Sequence, residues 1–155
     1  MGSNYLSSEV LSNFQIAENT HENIVTNISQ DFGFEGVITY EIDPHGNLWA
    51  RFAKGLDISK SSYFGGVPAR DQVMNAVIKE QKRQIILDPS NCTNCDPNEV
   101  KLFNKNPFAV IPIIHNKTTV GAIAVNHSQR EVFERIEFNR LYSYLTLTSE
   151  SFNRK

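Results

Sequence analysis

The chain has 155 residues, 40% of them hydrophobic, and its 15 basic and 17 acidic side chains leave a formal net charge of −2. This length suits one globular domain with a sizeable core, so we predict a single domain over residues 1–155. The sequence has no basic excess that would indicate binding to nucleic acid or to an anionic membrane. It has no apolar run of the roughly 18–20 residues that a membrane span needs. Its two cysteines are too few for a disulfide scaffold.

The N-terminal segment MGSNYLSSEV lacks the basic and apolar regions of a signal peptide, so we expect a cytoplasmic protein. Met1-Gly2-Ser3 resembles a remnant of a cloning vector. We therefore expect the chain to be a piece of a longer protein.

The first predicted element is a long amphipathic helix from about Tyr5 to Asp31, ended by Gly33. Its apolar stripe contains His21, and its other members are Val10, Phe14, Ala17, Ile24 and Ile28. A histidine in such a stripe is predicted to be a hydrogen-bonded interface residue, and pH sensing is the alternative.

A hairpin is predicted next, with strands Gly36–Ile42 and Leu48–Ala53 joined by a turn at Pro44-His45-Gly46-Asn47. In the second strand, strict alternation separates two sets of side chains on opposite faces. One set is Leu48, Ala50 and Phe52, and the other is Trp49, Arg51 and Ala53.

The middle of the chain predicts a polar loop over Lys54–Ser62, a short strand near Tyr63, and a turn at Gly65-Gly66. A helix then begins near Pro68, which suits a first helical turn. Further along the chain, three more segments are predicted: a short buried strand at Gln84–Leu87, a loop at Asp88–Asn98 and a helical turn at Glu99–Phe103.

The most informative stretch consists of two apolar runs, Phe108–Ile114 and Val120–Val125, on either side of a short polar link. They predict two antiparallel strands with a tight turn at Asn116-Lys117. Because the runs are nearly continuous in apolar residues, we expect this ribbon to be covered on both faces. The last helix is predicted from about Glu131 to Asn153.

These elements predict an α+β fold with a central antiparallel sheet of about six strands. The terminal helices should pack on one face of the sheet, and loops with short helices should form a cap on the other. The apolar stripes of the terminal helices are wide enough to be shared between the sheet and a partner.

The central ribbon and its surroundings resemble the GAF domain family, in which a "VPI … GxLxV" hairpin precedes a long helix. The matching segments are Val110-Ile111-Pro112-Ile113 and Val120-Gly121-Ala122-Ile123-Ala124-Val125. Upstream, Gly65-Gly66-Val67-Pro68 and Gln84-Ile85-Ile86-Leu87-Asp88 resemble the family's glycine turn and middle strand. The resemblance spans roughly Asn19 to Arg154.

The resemblance implies a non-catalytic sensory or regulatory domain of a larger signalling protein, which binds a small molecule under the cap or dimerises through its terminal helices. It does not specify the ligand or a cofactor. A ligand-free structural dimerisation module is the competing interpretation. A cyclic-nucleotide site like that of phosphodiesterase regulatory domains is disfavoured, because the Asn-Lys-x(n)-Phe-x3-Asp-Glu motif is missing.

The resemblance also implies the pocket residues, which lie in the cap segments and beside the ribbon. They are Tyr63, Phe64, Arg70, Cys92, Cys95, Phe103, Phe108 and His127, with Trp49 as a further candidate. Arg70 would bind an anion near a helix N-terminus. His127 matches a histidine that phytochrome-like GAF domains place beside their chromophore. A bilin is nevertheless not expected, because Lys101–Lys105 stands where their Cys-His pair would be.

Cys92-Thr93-Asn94-Cys95 brings two sulfur atoms close enough to share a metal ion or to form a disulfide. A zinc site would need further ligands such as His45, His115 or His127, and no spacing supports them, so we predict no metal site. Free methionine sulfoxide reductases of the GAF family use cysteines around the pocket, which makes a reductase the enzymatic alternative. No hydrolase, P-loop, metalloprotease or dinucleotide motif is present, so a non-enzyme is predicted.

Overall fold

The computed structural model describes residues 18–60, 72–136 and 138–152. Ten helices and strands follow in chain order: α1 Glu18–Phe32, β1 Gly36–Ile42, β2 Leu48–Lys54, α2 Gln72–Glu80, β3 Gln84–Ile86, α3 Pro97–Leu102, β4 Phe108–His115, β5 Thr118–Asn126, α4 Glu131–Arg135 and α5 Phe138–Ser149. Short 3₁₀ turns occupy Ile58–Lys60, Pro89–Asn91 and Glu150–Phe152. The strand predicted near Tyr63 and the helix predicted before Glu18 lie outside the described residues.

The strands form one five-stranded antiparallel sheet in the order β2-β1-β5-β4-β3. The predicted α+β class and antiparallel sheet are confirmed, with five strands in the described part of the chain. Gly33 ends α1 as predicted: its φ is +72°, and its N–H donates to the Ser29 carbonyl at 3.1 Å.

The ribbon of β4 and β5 lies near the middle of the sheet and is buried over most of its length. Its turn is the predicted Asn116-Lys117 pair, with φ of 51° and 66° at the two residues. Two successive positive φ values are typical of a type I′ turn, whose twist matches that of the strands. A Cβ on Gly121 in β5 would lie 2.5 Å from the Tyr40 carbonyl oxygen, which explains the glycine of this motif.

Both faces of the sheet are covered, as predicted. On what we call the helix side, Ile24 and Ile28 of α1 and Leu141 and Leu145 of α5 form a buried cluster with inward side chains of the strands. On the opposite side, which we call the cap side, a second buried cluster joins the sheet to α2, α3 and the segment between them. Two covered faces explain the continuous apolar runs.

The last helix is not continuous, which corrects the prediction. It is divided into α4 and α5 at Ile136, whose φ of −67° and ψ of 141° are extended. The Ile136 N–H still donates to the Val132 carbonyl at 3.0 Å and closes α4. The change of direction allows Phe133 of α4 and Leu141 of α5 both to be buried on the helix side.

The predicted alternation of β2 is wrong in its second half, because β2 contains a β-bulge. The register passes from Thr39↔Phe52 to Tyr40↔Ala50, so Arg51 is the extra residue. Beyond the bulge the faces exchange: Phe52 packs on the helix side, whereas Ala53 packs with Leu48 and Ala50 on the cap side.

Candidate functional site

The cap side contains the predicted cysteine pair as a disulfide, with an S–S distance of 2.04 Å between Cys92 and Cys95. Cys92 follows a 3₁₀ turn, and Cys95 precedes α3 and is 9% exposed. Both sulfur atoms are used by this bond, so neither is a thiolate ligand in this state. The described residues contain no group of three or more His, Cys, Asp or Glu side chains arranged for a metal ion.

A cavity of about 290 Å³ lies against the disulfide. Pro89, Pro97 and Val100 provide its apolar wall, and Lys101 and Lys105 are the cationic side chains that line it. The disulfide is therefore next to a concave surface with positive charge at its edge.

Phe103 and Phe108, both predicted pocket residues, lie together between the cap and the sheet. Their ring centroids are 4.5 Å apart in a stacked arrangement, and both side chains are buried in the cap-side cluster. In the conformation described they form part of the core.

Two buried polar residues that the sequence analysis did not select face each other on the cap side. The Tyr40 hydroxyl donates to Glu99 Oε1 at 3.1 Å, and both side chains are almost fully buried. Tyr40 comes from β1 and Glu99 from α3, so this hydrogen bond links the sheet to the cap. The sequence around Glu99 gives little indication of its burial, since most glutamates are exposed.

Asn126 is a third buried polar residue on the cap side. It lies two residues after Ala124 in β5, so its side chain is on the same face as that of Ala124 and on the opposite face from that of Val125. Its side chain is 3% exposed, and its Oδ1 has no hydrogen-bond partner among the described residues. A Cβ on Gly36 of β1 would lie 2.1 Å from this oxygen, so glycine leaves the space that the amide occupies. An unpaired buried acceptor is costly unless something donates to it.

His127 follows Asn126 and lies beside Glu35 at the end of the sheet, with 3.6 Å between Nε2 and Oε2. Its Nδ1 accepts a hydrogen bond from the Gln129 N–H at 3.0 Å. Trp49 lies in β2 and donates its indole N–H to Asp43 in the β1–β2 turn. Tyr63, Phe64 and Arg70 lie outside the described residues.

The carboxylate of Asp43 holds that turn together. Its Oδ1 accepts hydrogen bonds from the backbone N–H groups of His45 at 2.8 Å and Asn47 at 2.9 Å. Its Oδ2 accepts a hydrogen bond from Trp49 Nε1–H at 2.8 Å. Burial by itself raises the pKa of the Asp43 carboxyl, but the hydrogen bonds from Trp49, Asn47 and His45 outweigh it and hold the pKa below its ordinary value. The folded state therefore favours the ionised carboxylate.

We expect Asp43 to make the domain acid-sensitive. A carboxyl with a lowered folded pKa stabilises the fold above its ordinary pKa of about 3.9, and this contribution is lost as the pH falls through the folded value. In Asp43→Asn, urea unfolding followed by Trp49 fluorescence should depend less on pH below about 4 than in the parent. Glu134→Gln, at an exposed carboxyl, is the control, and equal pH dependence in Asp43→Asn and the parent would contradict the prediction.

A second polar cluster lies on the helix side and contains His21, Thr39, Glu41 and Arg51, all buried. His21 Nδ1 is 3.1 Å from Thr39 Oγ1, and His21 Nε2 is 3.0 Å from Glu41 Oε1. Arg51 lies on the same side of the sheet and pairs with the same Glu41 oxygen. The predicted hydrogen-bonded interface histidine is confirmed, and it joins α1 to the sheet.

No protein-family model matches the sequence, and no curated protein matches it significantly. Solved structures do match. A GAF domain/HD domain protein from Geobacter sulfurreducens superposes with a TM-score of 0.75 at 13% identity, over 87% of this chain and 90% of that one. The GAF domain of a phosphoenolpyruvate-protein phosphotransferase from Acinetobacter gives a TM-score of 0.70 at 13% identity, over 94% and 87%.

This chain has a GAF-like fold. The same fold occurs in a type II free methionine-R-sulfoxide reductase from Thermoplasma acidophilum, with a TM-score of 0.71 at 12% identity over 87% of this chain and 90% of that one. Identities this low establish the shared fold and leave the activity open. In the described part of this GAF-like domain, no helix has both the length and the apolar character required to cross a membrane.

Proposed function

We propose that this GAF-like domain is a non-catalytic sensory or regulatory module that binds a small molecule on the cap side of its sheet. The observation that carries the proposal is the unpaired, buried Oδ1 of Asn126 on that face. A ligand that donates a hydrogen bond to this oxygen would remove the cost of leaving it unpaired.

The buried carboxyl of Glu99 and the hydroxyl of Tyr40 add polar groups on the same side. The other proposed pocket residues are those implied by the family resemblance: Tyr63, Phe64, Arg70, Cys92, Cys95, Phe103, Phe108 and His127. The stacked Phe103 and Phe108 rings would have to separate or offer an edge to the ligand. Binding would then favour one arrangement of the cap, and thereby shift the domain between two states.

A thermal-shift screen of amino acids, nucleotides and small amines, followed by calorimetry, tests this proposal. A ligand that raises the melting temperature should bind Asn126→Ala and Glu99→Gln more weakly, by about tenfold for each lost hydrogen bond. Glu134→Gln, at an exposed position in α4, is the control. A screen without a binder, or a binder unaffected by both substitutions, would overturn the cap-side site.

We also propose homodimerisation through the terminal helices. Leu147 of α5 is 79% exposed, unlike the other large apolar side chains of the described residues. In a dimer, this leucine would be covered by the second copy. Light scattering should show a dimer for the parent and a folded monomer for Leu147→Glu, with Lys101→Glu on the cap side as the matched control. A monomeric parent would contradict the proposal, and a dimer without a ligand would favour the structural module.

A methionine sulfoxide reductase is the second candidate, favoured by the Cys92–Cys95 disulfide beside a cavity. In such a reaction the two reduced cysteines supply two electrons and two protons, the sulfoxide oxygen leaves as water, and the cysteines become a disulfide. Dithiothreitol would then regenerate the thiols. Turnover of free methionine sulfoxide that disappears in Cys92→Ser and in Cys95→Ser would support this activity, and an inactive parent would eliminate it.

A further inference from the structure

A cleft lined by arginine side chains lies on the outer surface where α4 meets α5, near the end of α1. It consists of two adjoining cavities of about 580 and 370 Å³, which share Ile136 and Arg140. Arg83 and Phe138 line the first cavity, and Arg135 and Phe32 line the second. We call this surface the arginine cleft; it does not include any of the residues assigned above to the cap-side site.

Two of the arginines are held against aromatic rings. Arg83 Cζ lies 4.1 Å from the centroid of Phe138, and Arg140 Cζ lies 4.4 Å from that of Phe32. Arg140 also donates from Nη2 to the Asp31 carbonyl at 3.1 Å. A guanidinium that contacts a ring through its face keeps N–H donors at its edge, where they can bind a carboxylate.

Among the described residues, the lining of the arginine cleft contains three guanidinium groups and one carboxylate. Arg83, Arg135 and Arg140 are exposed, and none of them forms an ion pair with a described acidic side chain. In the part of the chain that the structure describes, no acidic side chain lines the first cavity, and Asp31 lines the second. Between the charged groups lie half-buried apolar side chains, including Ile136 and Phe138.

We propose that the arginine cleft binds an acidic peptide segment of a partner protein. Carboxylates of the segment would pair with the guanidinium edges of Arg83 and Arg140, in the geometry that arginine and carboxylate prefer. An apolar side chain between those carboxylates would cover Ile136 and Phe138. Two adjoining cavities joined by an apolar surface suit an extended segment better than a single small anion, which would occupy one of them.

Fluorescence polarisation with the dye-labelled peptide Asp-Glu-Phe-Glu-Asp-Leu tests this inference. The parent should bind it, with an affinity that falls as salt is added. The double variant Arg83→Gln, Arg140→Gln should bind at least about tenfold more weakly. The matched control Lys54→Gln, Lys117→Gln removes the same charge at two exposed lysines that line neither cavity, and it should bind like the parent. Circular dichroism and melting temperatures establish that both variants fold.

Three results would overturn the inference. The first is a parent that does not bind the peptide. The second is an equal loss of affinity in the lysine double variant, which would indicate attraction by overall charge. The third is equal binding of inorganic phosphate and the peptide, each lost in the arginine variant, which would indicate a small-anion site. Because the cap-side screen uses different residues, its failure and the failure of this proposal are distinguishable.

Discussion

Replacing Glu41 by alanine should lower the free energy of unfolding by about 3–5 kcal/mol, the usual effect of breaking a buried ion pair. Glu41 is fully buried, pairs with Arg51 and accepts a hydrogen bond at 3.0 Å from His21. Its removal leaves the Arg51 guanidinium, itself 5% exposed, without this carboxylate in the core. Urea unfolding followed by circular dichroism measures the change.

A matched variant separates the loss of the ion pair from the loss of packing. Exchanging Glu41, Arg51 and His21 together for Leu, Met and Leu removes the charges and keeps most of the side-chain volume. Because a buried charge cluster is often replaceable by apolar residues, this triple variant should recover most of the stability. A Glu41→Ala domain within about 1 kcal/mol of the parent would show that water reaches Arg51 in the absence of the carboxylate.

Replacing Leu141 by glutamate should prevent folding. Leu141 is fully buried in the helix-side cluster, so the substitution removes apolar packing and places an unpaired charge in the core. The combined loss exceeds about 5 kcal/mol, which is comparable with the whole stability of many domains. Far-ultraviolet circular dichroism and a melting curve of the purified variant test this expectation.

Leu147→Glu on the same helix is the matched control, because Leu147 is 79% exposed. The same chemical change at this position should alter monomer stability by less than about 0.5 kcal/mol. This difference between the buried Leu141 and the exposed Leu147 makes Leu147 the position at which to test a dimer. A charge at Leu141 would unfold the monomer, so the loss of a dimer in that variant would say nothing about an interface. A folded Leu141→Glu domain would contradict the packing of α5 on the sheet.

Local sequence chemistry predicted the central ribbon correctly. The Asn116-Lys117 turn was predictable because Asn tolerates a positive φ. The two strands beside it were predictable because their apolar residues are nearly continuous. The interruption at Ile136 was missed, since the apolar residues around it fit a continuous helix. The division depends on Phe133 and Leu141 both reaching the core, which is a tertiary constraint.

The candidate sites were predicted less completely. Cys92 and Cys95 were identified from their spacing, but their bond was one of several alternatives. Glu99 and Asn126 were missed because each occurs in an ordinary local context and becomes unusual only through burial. The arginine cleft combines residues from separate segments, such as Arg83 and Arg140, and no local pattern connects them.

The sequence by itself determined the antiparallel ribbon, its turn, and the covering of the sheet on both faces, because periodicity and turn chemistry act between near neighbours along the chain. The tertiary structure alone decided where charge is buried. Arg51, Glu41 and His21 meet on the helix side, and the three come from β2, β1 and α1. Burial and pairing depend on distances between residues far apart in sequence, and those distances exist only once the chain has folded.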